Sequence, residues 1–177
     1  MDIIKQIIII LVSISIGLIL VIMTGLIFAC YFVGWGPFYK IADIRYRKMI
    51  GNSEKYSIKN VKKISNSPLE GMNICYLGSS ITYGETSLRE TFVEFIAKRN
   101  STKYIKEAVS GTTLVTTNKN DKSYITRMKK INRSAKFDLF VCQLSTNDAL
   151  QNKSLGSIYD IDIGNICGAI NTIIDYV

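Results

Sequence analysis

Ile7 to Val33 reads IIIILVSISIGLILVIMTGLIFACYFV, and no charged residue occurs between Lys5 and Lys40. The run exceeds the ~20 apolar residues needed to cross a bilayer, so it can span one with some tilt. Tyr31, Phe32, Trp35, Phe38 and Tyr39 gather at its far end, as aromatic residues do at a membrane interface. A cleaved signal peptide has an apolar region of roughly 7–15 residues followed by a small-x-small site. Here the run is longer and no clean site follows. Ile27-Phe28-Ala29-Cys30 is a faint version of a lipoprotein processing box, with bulky Phe28 where a small residue belongs. Residues 1–36 therefore read as a retained, single-pass transmembrane anchor.

The net charge of +8 is spread unevenly. Lys40, Arg45, Arg47, Lys48, Lys55, Lys59, Lys62 and Lys63 fall within residues 37–70, opposed by Asp43 and Glu54. Such a basic juxtamembrane linker suits anionic headgroups, at about 1 kcal/mol per basic residue near the surface. It carries no nucleic-acid-binding motif, so membrane lipid is the expected partner and nucleic acid is not. Of the cysteines, Cys30 lies in the apolar run, while Cys75, Cys142 and Cys167 sit in apolar settings. There is no CxxC and no metal-ligand spacing. They read as buried free thiols acting as small hydrophobes, and no metal is expected.

Asn66-Ser67-Pro68 marks a boundary, and the globular pattern begins near Gly71 and runs over residues 71–177. Met72 to Leu77 is a short apolar run, read as a strand. Ser87-Leu88-Arg89-Glu90 fits a capping box, and Leu88, Phe92, Phe95, Ile96 and Arg99 then share one helical face. Tyr104 to Val109 reads as a second strand and Tyr124 to Asn132 as a helix. Phe137 to Leu144, FDLFVCQL, is a near-continuous apolar strand, which suits a parallel sheet covered on both faces. Asn165 to Val177 has helical periodicity. Alternating strands and helices predict an α/β fold with a doubly wound parallel sheet.

In such sheets a ligand sits outside the carboxyl ends of the strands. All three predicted strands end in small polar residues: Gly78-Ser79-Ser80, Ser110-Gly111-Thr112-Thr113 and Ser145-Thr146-Asn147-Asp148. The first loop is not a Walker P-loop, because no Lys-Ser/Thr follows its glycines. It is not a G-x-S-x-G elbow either, because Thr82 stands where the second glycine belongs. A hydroxyl-rich loop leading to a helix can also cradle a phosphate through backbone amides, so a flavodoxin-like FMN- or phosphate-binding domain is an alternative.

Leu77-Gly78-Ser79-Ser80-Ile81-Thr82-Tyr83-Gly84 resembles block I of the SGNH (GDSL-type) hydrolases, written GDSIT-x-G, with Ser79 in place of the common Asp. Gly111 matches the block II glycine. Asn147 and Asp148 match the G-x-N-D of block III, with Ser145 where Gly is usual. The three blocks occur in order over roughly residues 71–150. The resemblance implies a flavodoxin-like three-layer fold, no cofactor, and a serine esterase acting on a lipid, acyl or O-acetyl glycan ester. Ser80 would be the nucleophile. The Ser80 amide, the Gly111 amide and the Asn147 side chain would stabilise the oxyanion. The bland readings are a turn glycine at Gly111, a turn cap at Asn147 and an amide-binding loop residue at Ser80.

The family's fourth block, D-x-x-H, is absent, and the chain contains no histidine. The expectation is a truncated hydrolase domain whose Asp and His lie past residue 177, with little activity in these residues alone because an unassisted serine is a weak nucleophile. A non-catalytic member that keeps the loops as a binding module is the rival. The side of the membrane stays open. The excess of Lys and Arg after the span puts the domain in the cytoplasm by the positive-inside rule, whereas anchored envelope-glycan esterases of this type face outward.

Overall fold

The computed structural model describes residues 3–33, 46, 49–118, 121–132 and 134–177. Trp35, Phe38, Tyr39, Lys40, Asp43, Arg45, Arg47 and Lys48, which carry most of the expected aromatic belt and part of the basic linker, lie outside the described residues. The chain forms two compact units, Met1–Asn52 and Ser53–Val177.

In the first unit, Ile3–Val33 is a single 31-residue helix, α1. At 1.5 Å per residue it is about 46 Å long, more than the ~30 Å of a bilayer's hydrocarbon core. It is long and apolar enough to cross a membrane, with a mean hydropathy of 3.1 in its most apolar window, none of which is buried. Three polar side chains within it are satisfied internally. Ser13, Ser15 and Thr24 donate to the carbonyls of Ile9, Leu11 and Leu20 at 2.7–2.9 Å, as hydrocarbon requires of any hydroxyl it surrounds.

The second unit is α/β. Its strands are β1 (Asn73–Gly78), β2 (Lys103–Ala108) and β3 (Leu139–Cys142). They form one sheet in the order β2-β1-β3, with β1 parallel to both neighbours. Its helices are α2 (Ser80–Tyr83), α3 (Phe92–Asn100), α4 (Tyr124–Met128), α5 (Asn147–Leu150) and α6 (Ile166–Tyr176). The strand boundaries fall within a few residues of those expected. The longest difference is at β3, which starts at Leu139. Ahead of it, Asp138 donates its backbone N–H to the Asn73 carbonyl at 2.9 Å, and its carboxylate accepts from the Asn73 amide at 2.7 Å.

Residue alternation along β1 builds the core. Cys75 and Leu77 face one side, against Leu114, Tyr124, Ile125, Met128, Ala169 and Ile173. Ile74 and Tyr76 face the other, against Val93. β1 is thus buried on both faces, with α4 and α6 on one side and α3 on the other, and this accounts for its unbroken apolar sequence. Among the described residues no strand pairs with the outer edge of β3, and Leu139 and Leu144 beside it are exposed.

The first long helix of the α/β unit starts later than its sequence suggested. Leu88 and Arg89 take left-handed backbone conformations, φ 56° and 60°, and the turn closes back on Gly84 through the Arg89 amide at 3.2 Å. The capping box forms one turn on: Thr91 accepts from the Val93 amide, and Glu94 accepts from the Thr91 amide at 2.7 Å. Leu88 is therefore outside the helix, and Val93 is its fully buried residue. Glu90 instead takes the Ile58 amide at 2.7 Å. Residues 53–70, expected to be linker, belong to the α/β unit: Ile64 donates to Arg99 and Gly71 to Ser101.

Burial pushes the Cys75 thiol, with help from the Glu107 carboxylate, up to about 11. Burial does the same for Cys142, against the opposing pull of Arg127. Both thiols ordinarily titrate near 9.0. Above that pH the unfolded chain releases protons that the folded chain keeps, so this contribution to stability is complete below pH 9 and falls as the pH rises toward 11. The urea midpoint should drop across this window, and the drop should be shallower in a Cys75→Ala, Cys142→Ala double variant. An identical slope in the two proteins would contradict a role for the thiols in this pH dependence.

Candidate active site

Because the strands are parallel, their carboxyl ends lie along one edge of the sheet, and all three motif loops start there. β1 runs into Ser79 and α2, β2 into the loop of Gly111, and β3 into Gln143, Ser145 and α5.

The first loop is fixed by close packing. A side chain at Gly78 would collide with the Thr82 side chain. Gly84, at φ +85°, would place a Cβ 2.8 Å from Arg89 Cα, so both its conformation and its surroundings demand glycine. Thr82 is fully buried and donates to Gln143 Oε1 at 3.1 Å. The Ser79 amide makes a longer bond, 3.5 Å, to the same oxygen. Ser80 is half-buried, and its hydroxyl holds no hydrogen bond among the described residues. It borders an open depression lined by Ile81, Gly84, Glu85, Thr86 and Ser87.

The second loop is held by the third. Asp148 is 1% exposed. Its Oδ2 accepts from the Leu114 amide at 2.9 Å and its Oδ1 from the Val115 amide at 3.2 Å. Asn147 Nδ2 donates to the Thr112 carbonyl at 2.9 Å, and Ser145 Oγ donates to the same carbonyl at 3.0 Å. Asn147 thus lies against the residue that follows Gly111, with one of its two amide hydrogens committed. Gly111 is exposed with φ +74° and nothing within 4 Å of where a Cβ would be, so the turn conformation alone calls for glycine there. Ser145 serves as a tie between loops.

Arg127 joins all of this to the sheet. It is 1% exposed. Nη2 donates to Gly78 O at 2.9 Å and Thr112 Oγ1 at 3.1 Å. Nη1 donates to Glu107 O at 2.9 Å and Glu107 Oε1 at 3.4 Å, and Nε donates to Lys122 O at 2.8 Å. Beside it, Tyr124 donates its hydroxyl to Gln143 O at 2.8 Å. Burial pushes that phenol up to about 12, against the nearby Ser79 side chain and the Arg127 charge, which pull the other way. Arg127, Gln143 and Thr82 do not stand out in the sequence. The signal for Arg127 is a lone cation between Tyr124, Ile125 and Met128, all of them buried.

The structure therefore carries Ser80, Gly111 and Asn147 on three loops at one sheet edge. Direct contact links the loops of Gly111 and Asn147, while Arg127 and Gln143 link both to the first loop. The depression beside Ser80 has neither Gly111 nor Asn147 in its lining. A larger cavity, about 580 Å³, lies elsewhere, between residues 131–140 and the end of α6. Among the described residues no group of three His, Cys, Asp or Glu side chains could hold a metal ion.

No protein-family model matches the chain, and neither does any curated protein. Among solved structures, one crystal structure aligns over 62% of this chain and 52% of its own, with a TM-score of 0.51 and 19% identity. Another, a structural-genomics protein from Lactobacillus plantarum, aligns over 60% of this chain and 49% of its own, with the same TM-score of 0.51 and identity of 19%. The chain spans about half the length of these structures, and at this identity the likeness is one of fold alone.

Asp148→Ala should leave the Leu114 and Val115 amides without partners, at a cost of about 1–3 kcal/mol for each buried orphan. Asp148→Asn keeps one acceptor but sets its NH2 against the other amide N–H, so it too should fall below the parent. Chemical denaturation of the three proteins checks the order. Equal stability of Asp148→Ala and the parent would remove Asp148 as the clamp on this loop.

Proposed function

We propose that residues 53–177 carry the acyl-binding half of an SGNH-type serine esterase site, on a doubly wound, flavodoxin-like sheet, in a single-pass membrane protein anchored by α1. The observation that carries this reading is the cross-bracing of the three motif loops at the carboxyl edge of one parallel sheet through Arg127, Gln143, Asn147 and Asp148. A binding surface assembled from three strand ends is what an oxyanion site needs: fixed donors arranged before charge develops, with no reorganisation during reaction.

In this reading Ser80 Oγ attacks an ester carbonyl, its proton passes to a base, and negative charge grows on the carbonyl oxygen. The Ser80 and Gly111 amides and the second hydrogen of Asn147 Nδ2 point their dipoles at that oxygen. Collapse expels the alcohol, which takes the proton back, and water repeats the sequence on the acyl-serine. The base is supplied from outside these 177 residues, which contain no histidine. Two polar groups beside the loops are already committed. Asp148 is buried with both oxygens engaged, and the Tyr124 phenol gives up its own proton only near pH 12.

Free imidazole should stand in for the missing base. With a short-chain aryl acetate, the chain in imidazole buffer should hydrolyse ester faster than its Ser80→Ala variant under the same conditions. Asn147→Ala should lower that Ser80-dependent increment by ~10²–10³, the usual loss for one oxyanion donor. If the parent and Ser80→Ala proteins have equal rates at every imidazole concentration, the nucleophile assignment fails and a non-catalytic binding module is the better reading.

A further inference from the structure

The alternation of strand and helix places the starts of the strands and the ends of the helices at the edge opposite the candidate site. That edge is strongly basic. Lys98 and Arg99 close α3, Lys103 opens β2, Lys130 follows α4, and Lys136 precedes β3. Lys62 joins them, because residues 61–62 share a groove with Phe95, Ile96 and Arg99. All six are exposed and none is in an ion pair among the described residues. Of the acids nearby, Glu70 pairs with Lys63 at 3.2 Å and Asp138 takes the Asn73 amide at 2.7 Å, which leaves exposed Asp175 in the last turn of α6 against six cations.

Helix dipoles explain part of this pattern, since cations are favoured in a last helical turn. That accounts for Lys98, Arg99 and Lys130. It does not account for Lys62, Lys103 and Lys136, which lie in loops or at a strand start. The groove beside Arg99 adds apolar side chains from Val61, Phe95 and Ile96 between the cations. The site edge is close to balanced, with Glu85, Glu107, Asp121, Asp148, Asp160 and Asp162 against Arg89, Lys122, Arg127, Lys129 and Lys153. The two edges are separated by the six residues of β1, about 20 Å at ~3.3 Å per residue. That is about two and a half times the ~8 Å Debye length at physiological salt, so a charged plane against one edge is screened from the other.

We propose that the strand-start edge of residues 53–177 rests on an anionic bilayer surface. If Ser80 is the acyl-ester nucleophile, as read above, the site then faces away from the bilayer. Its substrate is an ester carried on a water-soluble or polymeric molecule beyond the headgroups, not a bilayer lipid. The basic edge supplies charge complementarity to phosphate headgroups and the groove supplies apolar contact at their depth, while the near-balanced site edge offers no such match.

Lysine acetylation of the full chain, read by mass spectrometry, tests the orientation. The chain is held in nanodiscs of phosphatidylcholine, with or without phosphatidylglycerol. Phosphatidylglycerol should lower modification of Lys62, Lys98, Lys103, Lys130 and Lys136 several-fold, leave Lys122 and Lys153 unchanged, and lose its effect in high salt. Equal modification in the two discs, or protection that extends to Lys122, overturns the proposal. The substrate class is read separately, as Ser80-dependent release in imidazole from a soluble acetyl ester and from a diacyl lipid in the disc. Release from the soluble ester alone supports the inference, and release from the embedded lipid overturns it. If neither ester is cleaved, the acyl-ester reading falls, and with it the substrate class, while the lysine pattern still decides the orientation.

Discussion

The Arg127 guanidinium spends its N–H donors on Gly78, Glu107, Thr112 and Lys122, with Glu107 receiving two bonds. Those acceptors belong to the end of β1, the end of β2, the second motif loop and the turn into α4. No other side chain among the described residues hydrogen-bonds to so many of the segments that make up the site edge. A planar fork suits this position because its donors are held in fixed relative directions. The Tyr124 ring lies 5.0 Å from its centre and adds a face for the charge to rest on. The Glu107 carboxylate keeps some solvent contact, so the main loss on removing the guanidinium is at its carbonyl acceptors, about 1–3 kcal/mol for each buried group left unpaired, against the ~5–15 kcal/mol that holds a domain together.

The same strand end has to satisfy two demands. Its side chains alternate to fill both faces of the sheet, and its carbonyls have to find donors where the ladder stops. Arg127 answers the second demand at Gly78 O. Gln143 does so from the other side, donating its backbone amide to Leu77 O at 2.9 Å while its side-chain oxygen takes Thr82. Asp148 then orders the second loop through two amides, so that Gly111 is free to adopt a left-handed turn in open space. Polar bracing and apolar packing thus meet at the residues just past the strands, and Ser80 sits beside them on an open depression.

Much of this is legible in the sequence. The apolar run of α1 and the alternating strands and helices follow from periodicity, and the three loops follow from small polar residues placed after apolar runs. The start of α3 is not legible, because Ser87-Leu88-Arg89-Glu90 and Thr91-Phe92-Val93-Glu94 both have the capping-box pattern. The choice between them is made by a residue far away in sequence: the Ile58 amide claims Glu90, leaving Glu94 to close the box. Residues 53–70 look like linker for a similar reason, since their ties to Arg99, Asn100 and Ser101 are tertiary and mostly run through the backbone. Arg127 is hidden because its partners are mostly carbonyls, which leave no pattern in side-chain identity.

One guanidinium ties the end of β1 to the second loop, and Ser145 and Asn147 carry that tie to the third through the Thr112 carbonyl. Hydrogen–deuterium exchange of Arg127→Lys against the parent tests this most directly, because lysine keeps the charge and loses the fork. Bracing by Arg127 predicts faster exchange together in residues 79–87, 109–117 and 143–150, with the amides of β1 still protected. Faster exchange confined to residues 121–130 would contradict it.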